Sequence, residues 1–242
     1  MNGESKIGRE YYKKRIDDLF NEWKNKDIHK NQVFISDGVV CPKIWFNSTK
    51  RPLFLLKEAN NGKDHDWSLI NDYLTKNDPI IFKTWKNISL WTKGLLNTTE
   101  TYIEKYDPDD NVINKFNNKY LNSISVINVK KSHGTKESDM DDILKYAEID
   151  RKYLLEELKI CDPNIIICGY TIEALKIILG YDIKKQNNDH LFYYTKFNNH
   201  DLMIIDYWHP SNLFPGIMNY YGLMHAYQQA IIKHKEGVGE FL

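Results

Sequence analysis

Residues 164–168, Asn-Ile-Ile-Ile-Cys, form a short apolar run that follows Asp162-Pro163 and ends at Gly169. A run of this length, rich in β-branched residues and bounded by turn-forming residues, is typical of a strand that is buried on both faces. Residues 171–180 follow directly and carry apolar residues at helical spacing. This order of strand and helix predicts one β–α unit of a parallel sheet.

Three more apolar runs and several helical patterns extend this unit along the chain. The runs cover residues 53–56, 124–129 and 202–207. The helical patterns cover residues 9–25, 82–97, 141–160 and 217–235. An added strand at 191–197 is expected to form a hairpin with the last run through Asn198-Asn199. The sequence therefore predicts an α/β fold, a three-layer α/β/α sandwich with a central, mostly parallel four-stranded sheet.

The composition is that of a soluble globular protein, with 242 residues, of which 42% are hydrophobic and 27% charged. We find no repeat, and expect a single domain over 1–242 in which residues 1–50 form an N-terminal helical extension packed on the rest. No apolar run approaches the roughly 18 residues of a membrane span, and the first twenty residues are charged. We therefore expect neither a membrane protein nor an exported one, but a cytoplasmic monomer.

Cysteine content and net charge exclude several classes of protein. The three cysteines, Cys41, Cys161 and Cys168, contain no Cys-x-x-Cys pair, so that neither a disulfide framework nor a zinc ribbon is expected. No metal or organic cofactor is predicted. Lys plus Arg and Asp plus Glu each number 33, so any surface for nucleic acid has to come from local segregation of charge.

Polar side chains follow three of the predicted strands. Glu58 comes just after the first strand, Asn128 lies at the end of the second, and His209 comes just after the last. In parallel sheets the chemistry lies beyond the carboxyl ends of the strands, where the strand-end loops meet. We therefore expect these three side chains to share one crevice.

The motifs at these strand ends resemble, in the same order, those of the uracil-DNA glycosylase superfamily. Residues 55–61, Leu-Leu-Lys-Glu-Ala-Asn-Asn, are similar to its first motif, in which a strand ends in a water-positioning loop. Asn128 looks like its base-reading asparagine, and residues 162–169 look like its third strand. Residues 209–213, His-Pro-Ser-Asn-Leu, resemble its second catalytic motif. The resemblance spans about 53–225 and implies a DNA-binding enzyme that removes a base.

The resemblance implies a role for each of the three polar side chains. Cleaving an N-glycosidic bond builds positive charge on the sugar and negative charge on the departing base. Glu58 would stabilise the cation and orient or deprotonate the attacking water, and His209 would donate a hydrogen bond to the base oxygen that gains charge. Asn128 would pair with the edge of a pyrimidine, because a carboxamide offers both a donor and an acceptor.

Other residues would hold the DNA, because the target base has to leave the stack to be reached. Ser211 would contact the DNA, and Leu213 in the same loop would fill the gap in the duplex as an apolar wedge. Trp67 would stack on the flipped base. The basic loop with Lys130, Lys131 and Ser132 would bind phosphates.

Each role has a structural alternative. Glu58 can be a solvated loop carboxylate or a helix cap, Asn128 a turn residue and His209 a surface group. Leu213 and Trp67 can pack into the core, and lysine runs are usually solvated.

Three alternative functions are considered. Ala59 and Asn60 depart from the glycosylase motif and support a non-catalytic DNA-binding or damage-sensing module of the same fold. Lys57 and Lys131 support a lyase that acts through a Schiff base in place of water. A nucleotide-binding protein ranks lower, because no glycine-rich phosphate motif follows a strand.

The position of Asn61 bears on the size of the base. In the strict uracil enzymes that the motifs resemble, a tyrosine at the equivalent place excludes substituents on carbon five of the pyrimidine. Asn61, followed by Gly62, leaves no bulky gate, and with Asn60 it would bind a hydroxymethyl or sugar-bearing base through its donor and acceptor. Trp67, Tyr73, Phe82 and Trp85 can line an enlarged cavity. The sequence therefore predicts excision of uracil or of a bulky 5-modified pyrimidine such as phage DNA carries, in repair or in antiviral defence.

Overall fold

The structure is a computed structural model that describes residues 4–59, 63–76, 80–108, 118–134, 138–181 and 191–236. The α-helices in these ranges are α1 Glu4–Lys24, α2 Pro42–Trp45, α3 Lys83–Asn97, α4 Met140–Ile149, α5 Arg151–Cys161, α6 Ile172–Leu179 and α7 Gly216–Lys235. The strands are β1 Ile35–Ser36, β2 Gly38–Val39, β3 Pro52–Leu56, β4 Trp67–Ser68, β5 Ser125–Asn128, β6 Ile165–Gly169, β7 Phe192–Phe197 and β8 His200–Tyr207. A π-helix covers Ile70–Leu74, and a 3-10 helix covers Leu121–Ser123.

The central sheet has the strand order β2-β5-β3-β6-β8-β7. Its four inner strands run parallel to one another and are the four apolar runs of the sequence. Both edge strands are antiparallel to their neighbours. The sheet is therefore six-stranded rather than four-stranded, because the predicted hairpin strand β7 extends one edge and the unpredicted two-residue strand β2 extends the other.

Helices cover both faces of this sheet and confirm the predicted α/β/α class. On one face, α3 and α7 pack against the side chains of Phe54, Val126 and Ile205. On the other face, α1, α4, α5 and α6 pack against Leu53, Ile127 and others. Successive residues of a strand contribute to opposite faces, because a strand has a side-chain period of two.

Two local features refine the predicted elements. The helix expected over 141–160 is interrupted at Asp150, whose buried carboxylate lies 2.9 Å from His29 and 3.3 Å from Lys26, where the chain turns from α4 into α5. The predicted hairpin is confirmed, and its turn residues Asn198 and Asn199 have positive φ angles of 46° and 64°. Asparagine tolerates this conformation better than most residues, which favours it in such turns.

The N-terminal helix α1 is part of the domain, because its side chains Ile16, Leu19 and Trp23 are buried in the same core as α5. Among the described residues, no helix combines the length and the apolar character that crossing a membrane requires.

Candidate functional site

A cavity of about 440 Å³ opens at the carboxyl ends of the inner strands. Glu58 reaches it from the end of β3, Asn128 from the end of β5, and His209 with Ser211 from the end of β8. Its apolar walls consist of Leu56, Ala59, Trp67, Leu69, Tyr73, Phe82 and Trp85, with Thr84 and Ser138 beside them. The structure thus brings together the three polar side chains that the sequence assigned to one crevice.

The loops after β3 and β5 are held side by side by main-chain hydrogen bonds. The N–H groups of Val129 and Lys130 donate to the carbonyls of Leu56 and Lys57, each at 2.9 Å, and Gly134 N–H donates to Ala59 at 3.0 Å. A Cβ atom at Gly134 would overlap the Glu58 carboxyl group, so that only glycine leaves room there. This close approach fixes the path of both loops around Glu58.

Glu58 is held by a cation beneath the cavity floor. Its side chain is only 5% exposed, and its carboxylate lies 3.1 Å from Nζ of Lys130, which also contacts Asp142 at 2.6 Å. Burial acts to lower the pKa of Lys130, but the hydrogen bonds to Asp142 and Glu58 outweigh it and raise that pKa. Lys130 therefore stays charged and orients the Glu58 carboxylate.

Asn128 is buried and has a fixed side chain. Its backbone N–H and its side-chain Nδ2 both donate to Oδ2 of Asp37, at 2.8 Å and 3.0 Å. Within the part of the chain that the structure describes, Oδ1 of Asn128 makes no hydrogen bond. The amide thus has an acceptor and one N–H left for a ligand in the cavity.

His209 is a neutral imidazole in a defined tautomer. The backbone N–H of Ser211 donates to Nδ1 of His209 at 3.2 Å, and Oγ of Ser211 lies 2.8 Å from the same atom. Because Nδ1 accepts, the ring proton sits on Nε2. Burial, and then the positive charge of Lys57, lower the pKa of His209 from 6.5 to about 4. At neutral pH the ring is therefore an uncharged Nε2–H donor.

The loop that carries His209 is braced from two helices. Nδ2 of Asn87 in α3 donates to the carbonyl of Pro210 at 2.6 Å. Nδ2 of Asn219 in α7 donates to Oδ1 of Asn212 at 2.7 Å, and Nδ2 of Asn212 donates to the carbonyl of His209 at 2.9 Å. These bonds make the loop rigid without burying its tip.

Leu213 lies at the tip of this loop and is 96% exposed. Trp208 and Phe214, both about half exposed, form an edge-on aromatic pair beside it with centroids 5.3 Å apart. Tyr170 stacks on Trp208, with an angle of 8° between the rings. The loop that carries His209 and Ser211 therefore exposes an apolar tip, and the predicted wedge residue does not dock into the core.

The predicted phosphate-binding loop is wrong in its main part. Lys131 is fully buried, where it pairs with Asp37 and lies 2.8 Å from Glu157, and Ser132 is 3% exposed. Neither side chain reaches solvent, so neither can bind a phosphate. Lys130, 14% exposed, is occupied by Glu58 and Asp142. Lys131 is also unsuited to be a Schiff-base nucleophile, which has to be an uncharged amine. Burial alone would lower its pKa, but Asp37 and Glu157 outweigh that effect and raise the pKa, so the amine stays charged.

The aromatic residues expected to line an enlarged cavity are all in its wall. Trp67 lies in β4, which pairs with β1, and Nζ of Lys63 lies 4.7 Å from the centroid of its ring. Tyr73 and Trp85 contact each other with centroids 6.0 Å apart. Asn61, the proposed gate position, lies outside the described residues.

Asp37 is the residue that sequence reasoning missed. It precedes Gly38, and an Asp-Gly pair indicates a turn rather than a buried ligand of a distant asparagine. No sequence pattern links Asp37 to Asn128, which is 91 residues away. The same holds for the pairing of Lys130 with Glu58.

The described residues contain no group of three or more His, Cys, Asp or Glu side chains that could hold a metal ion. Comparison with the models of known protein families and with curated proteins gives no match.

Proposed function

We propose that the chain is a DNA glycosylase that flips a base out of DNA and hydrolyses its N-glycosidic bond, which leaves an abasic site. One observation carries the proposal: Glu58, Asn128 and His209, from three different strand ends, line one cavity. The cavity volume, about 440 Å³, lies in the range of roughly 300–1,000 Å³ found for small-molecule sites. A flipped base is a ligand of this class.

His209 suits the leaving base. A neutral imidazole donates from Nε2 to the base oxygen that gains charge, and Ser211 keeps the donor on that nitrogen. The lowered pKa means that the ring needs no deprotonation before each reaction at neutral pH. A fixed donor aimed at developing charge is worth about a hundredfold or more in rate.

Glu58 suits the sugar side of the bond. Its carboxylate, held by Lys130, stabilises the oxocarbenium-like sugar and orients the attacking water. Water, rather than a lysine, is the nucleophile in this scheme, so the strand is not cut. In this scheme Lys130 positions Glu58, instead of binding phosphate as predicted from the sequence.

The exposed rim suits a duplex from which one base has left. Leu213 on its braced loop fills the vacated space, and the exposed aromatic rings of Trp208 and Phe214 contact unstacked bases. Leu213 together with Trp208 and Phe214 exposes a contiguous apolar surface, which supports a role in contact with DNA. The protein acts in this scheme as a monomer in the cytoplasm.

The substrate in this proposal is uracil or a bulky 5-modified pyrimidine, and the biological role is repair or antiviral defence. The aromatic walls formed by Trp67, Tyr73, Phe82 and Trp85 support the larger base, because they surround a wide cavity. Asn61 at the gate position would leave the space beside carbon five open.

An oligonucleotide panel tests the proposed function. One sequence would carry uracil, 5-hydroxymethyluracil, 5-hydroxymethylcytosine or glucosylated 5-hydroxymethylcytosine at the same position, and alkali would reveal abasic sites. We expect excision of at least one of these bases and no strand cleavage before alkali. An enzyme preparation that binds these oligonucleotides and releases no base would instead support the non-catalytic module.

The gate can be tested on the same panel. Asn61→Tyr should abolish excision of the bulky bases and spare uracil, because an aromatic ring would fill the space beside carbon five. Activity of the wild type on uracil alone would contradict the open gate.

A further inference from the structure

Asp37 touches the proposed base-reading amide from behind. Its Oδ2 accepts hydrogen bonds from both the backbone N–H and Nδ2 of Asn128, at 2.8 Å and 3.0 Å, and the Asp37 side chain is fully buried. Nothing in the proposed chemistry uses this carboxylate directly. Among the described residues, its other neighbours in hydrogen-bond reach are the ammonium of Lys131 and the carboxyl group of Glu157.

The chemistry of a carboxamide gives these contacts a consequence. An ionised carboxylate only accepts hydrogen bonds, so that Nδ2, and never Oδ1, can face Asp37. One N–H of a side-chain amide lies beside Cβ and the other beside Oδ1. Because Asp37 bridges Nδ2 and the backbone N–H, it binds the hydrogen on the Cβ side. Oδ1 and the second N–H of Asn128 remain as a donor and acceptor pair in one fixed order.

Asp37 shares a buried cluster with Lys131 and Glu157. The ammonium of Lys131 pairs with Asp37 and lies 2.8 Å from Glu157, and all three side chains are inaccessible to solvent. Burial chiefly, and also the charge of Asp37, raise the pKa of Glu157 well above its usual range, although Lys131 opposes this. The raised pKa favours the protonated, neutral form of Glu157. Both oxygens of Asp37 face donors, Oδ1 the Lys131 ammonium and Oδ2 the two N–H groups of Asn128, so Asp37 is the acceptor in each of these hydrogen bonds.

We propose that Asp37 is a specificity-determining positioning residue, which fixes the order of donor and acceptor that Asn128 presents to a pyrimidine; this role rests on the base-excising function proposed above. A 4-oxo pyrimidine offers a donor at N3 and an acceptor at position 4, and a 4-amino pyrimidine offers the reverse. One amide orientation matches one of them. A free amide could rotate by 180° and match both.

A matched pair of substrates tests this role. 5-Hydroxymethyluracil and 5-hydroxymethylcytosine carry the same 5-substituent and differ in the order of donor and acceptor. We expect the wild type to excise one of them at least about tenfold faster than the other, the discrimination that a bidentate pair provides. In Asp37→Asn, whose amide can either accept or donate, the ratio should fall to within about threefold of unity.

Glu157→Gln is the matched control. It makes the same change, carboxyl to carboxamide, in the same buried cluster, but among the described residues Glu157 contacts Lys131 and Asp37 and not Asn128. The wild-type ratio should persist in this variant. Loss of discrimination in both variants would show a general effect of the cluster and overturn the proposal, as would an unchanged ratio in Asp37→Asn or a wild type that does not discriminate.

Asp37→Asn removes one of the two carboxyl groups beside the buried Lys131 ammonium, and a disrupted buried ion pair is strongly destabilising. The double variant Asp37→Asn with Lys131→Met removes that charge and leaves the neutral Glu157. It should show the same loss of discrimination. Retention of the wild-type ratio in this folded double variant would contradict the proposal.

A measurement on the free protein separates failure of this inference from failure of the proposed function. In a ¹⁵N–¹H spectrum, the side-chain NH₂ pair of Asn128 is assigned by its absence in Asn128→Ala. One of its two protons should exchange slowly with solvent in the wild type and in Glu157→Gln, and quickly in Asp37→Asn. Equal exchange in all three would overturn the role of Asp37, even if bases are excised. Slow exchange with no excision would overturn only the glycosylase.

Discussion

Two loops at the carboxyl end of the sheet both have side chains whose exposure is the reverse of what their residue types suggest. The loop after β5, residues 129–134, carries two lysines and a serine, yet Lys131 and Ser132 are buried. The loop after β8, residues 208–214, carries Trp208, Leu213 and Phe214, yet these apolar side chains are exposed. Charge lies inside in one loop, and apolar surface lies outside in the other.

The difference indicates what each loop does. In the β5 loop the lysines satisfy buried carboxylates, so that they support the cavity from below: Lys130 holds Glu58, and Lys131 holds Asp37 behind Asn128. In the β8 loop, Asn87 and Asn219 brace the backbone, and the apolar side chains at its tip stay exposed. A lysine in a sequence therefore indicates a DNA-binding surface only if the fold does not pair it with a carboxylate.

Loss of Lys131 should produce the largest effect. Lys131→Ala leaves the carboxylate of Asp37 buried without its ammonium, and breaking a buried pair in this way costs about 3–5 kcal/mol of unfolding free energy. Urea denaturation of both proteins measures it. Leu213→Ala is the opposite case and should change the stability by no more than about 0.5 kcal/mol. Similar losses in both variants would break the comparison.

The environment of His209 should show in its titration. Its pKa is lowered from 6.5 to about 4 in the folded protein, so between these values the unfolded chain binds a proton that the folded chain does not. The stability contributed by this neutral ring is therefore full above about pH 6.5 and is lost as the pH falls toward 4. NMR titration of the ring should give a midpoint near 4, and the difference in stability from His209→Gln should grow with pH over that window. A midpoint near 6.5 would contradict the buried setting.

Leu213 should matter only when a base leaves a duplex. Leu213→Ala should slow excision from paired DNA by roughly tenfold and leave single-stranded DNA unaffected, because only the duplex has a gap to fill. Single-turnover rates on both substrates measure it. Equal losses of rate on both substrates would contradict the role of Leu213 as a wedge.

The smallest effect is expected for the salt dependence of DNA binding at the β5 loop. Lys130 is paired with two carboxylates and Lys131 is buried, so Lys130→Ala should change the log–log slope of affinity against salt by well under the one unit of a phosphate contact. The same variant should slow excision, since Glu58 loses its partner. A slope reduced by a full unit would restore the phosphate role.

The framework of the fold could be predicted because its signals are local. β-Branched runs such as residues 164–168 and the helical spacing in 82–97 carry their own periodicity. Strands β1, β2 and β4 could not be predicted, because each has only two residues, too few to show a periodic pattern. The break between α4 and α5 at Asp150 could not be predicted, because it depends on contacts with His29 and Lys26, which lie far away in the sequence.

The candidate site divides in the same way. Glu58, Asn128 and His209 could be predicted to meet, because parallel strands end at one edge of the sheet. The burial of Lys131 and the role of Asp37 depend on which residues face each other across the core. Pairing of this kind has no periodicity, and the local composition around residues 130–132 pointed to a solvated surface instead.

The single-turnover excision rate of Glu58→Gln and His209→Ala, measured beside the wild type on its best substrate, tests the central claim most directly. Each variant should be at least about a hundredfold slower, as expected for loss of a positioned acid–base or oxyanion partner, while cooperative unfolding curves show that both variants are folded at the assay temperature. Wild-type rates in both variants, from an active wild-type enzyme, would show that the chemistry takes place elsewhere.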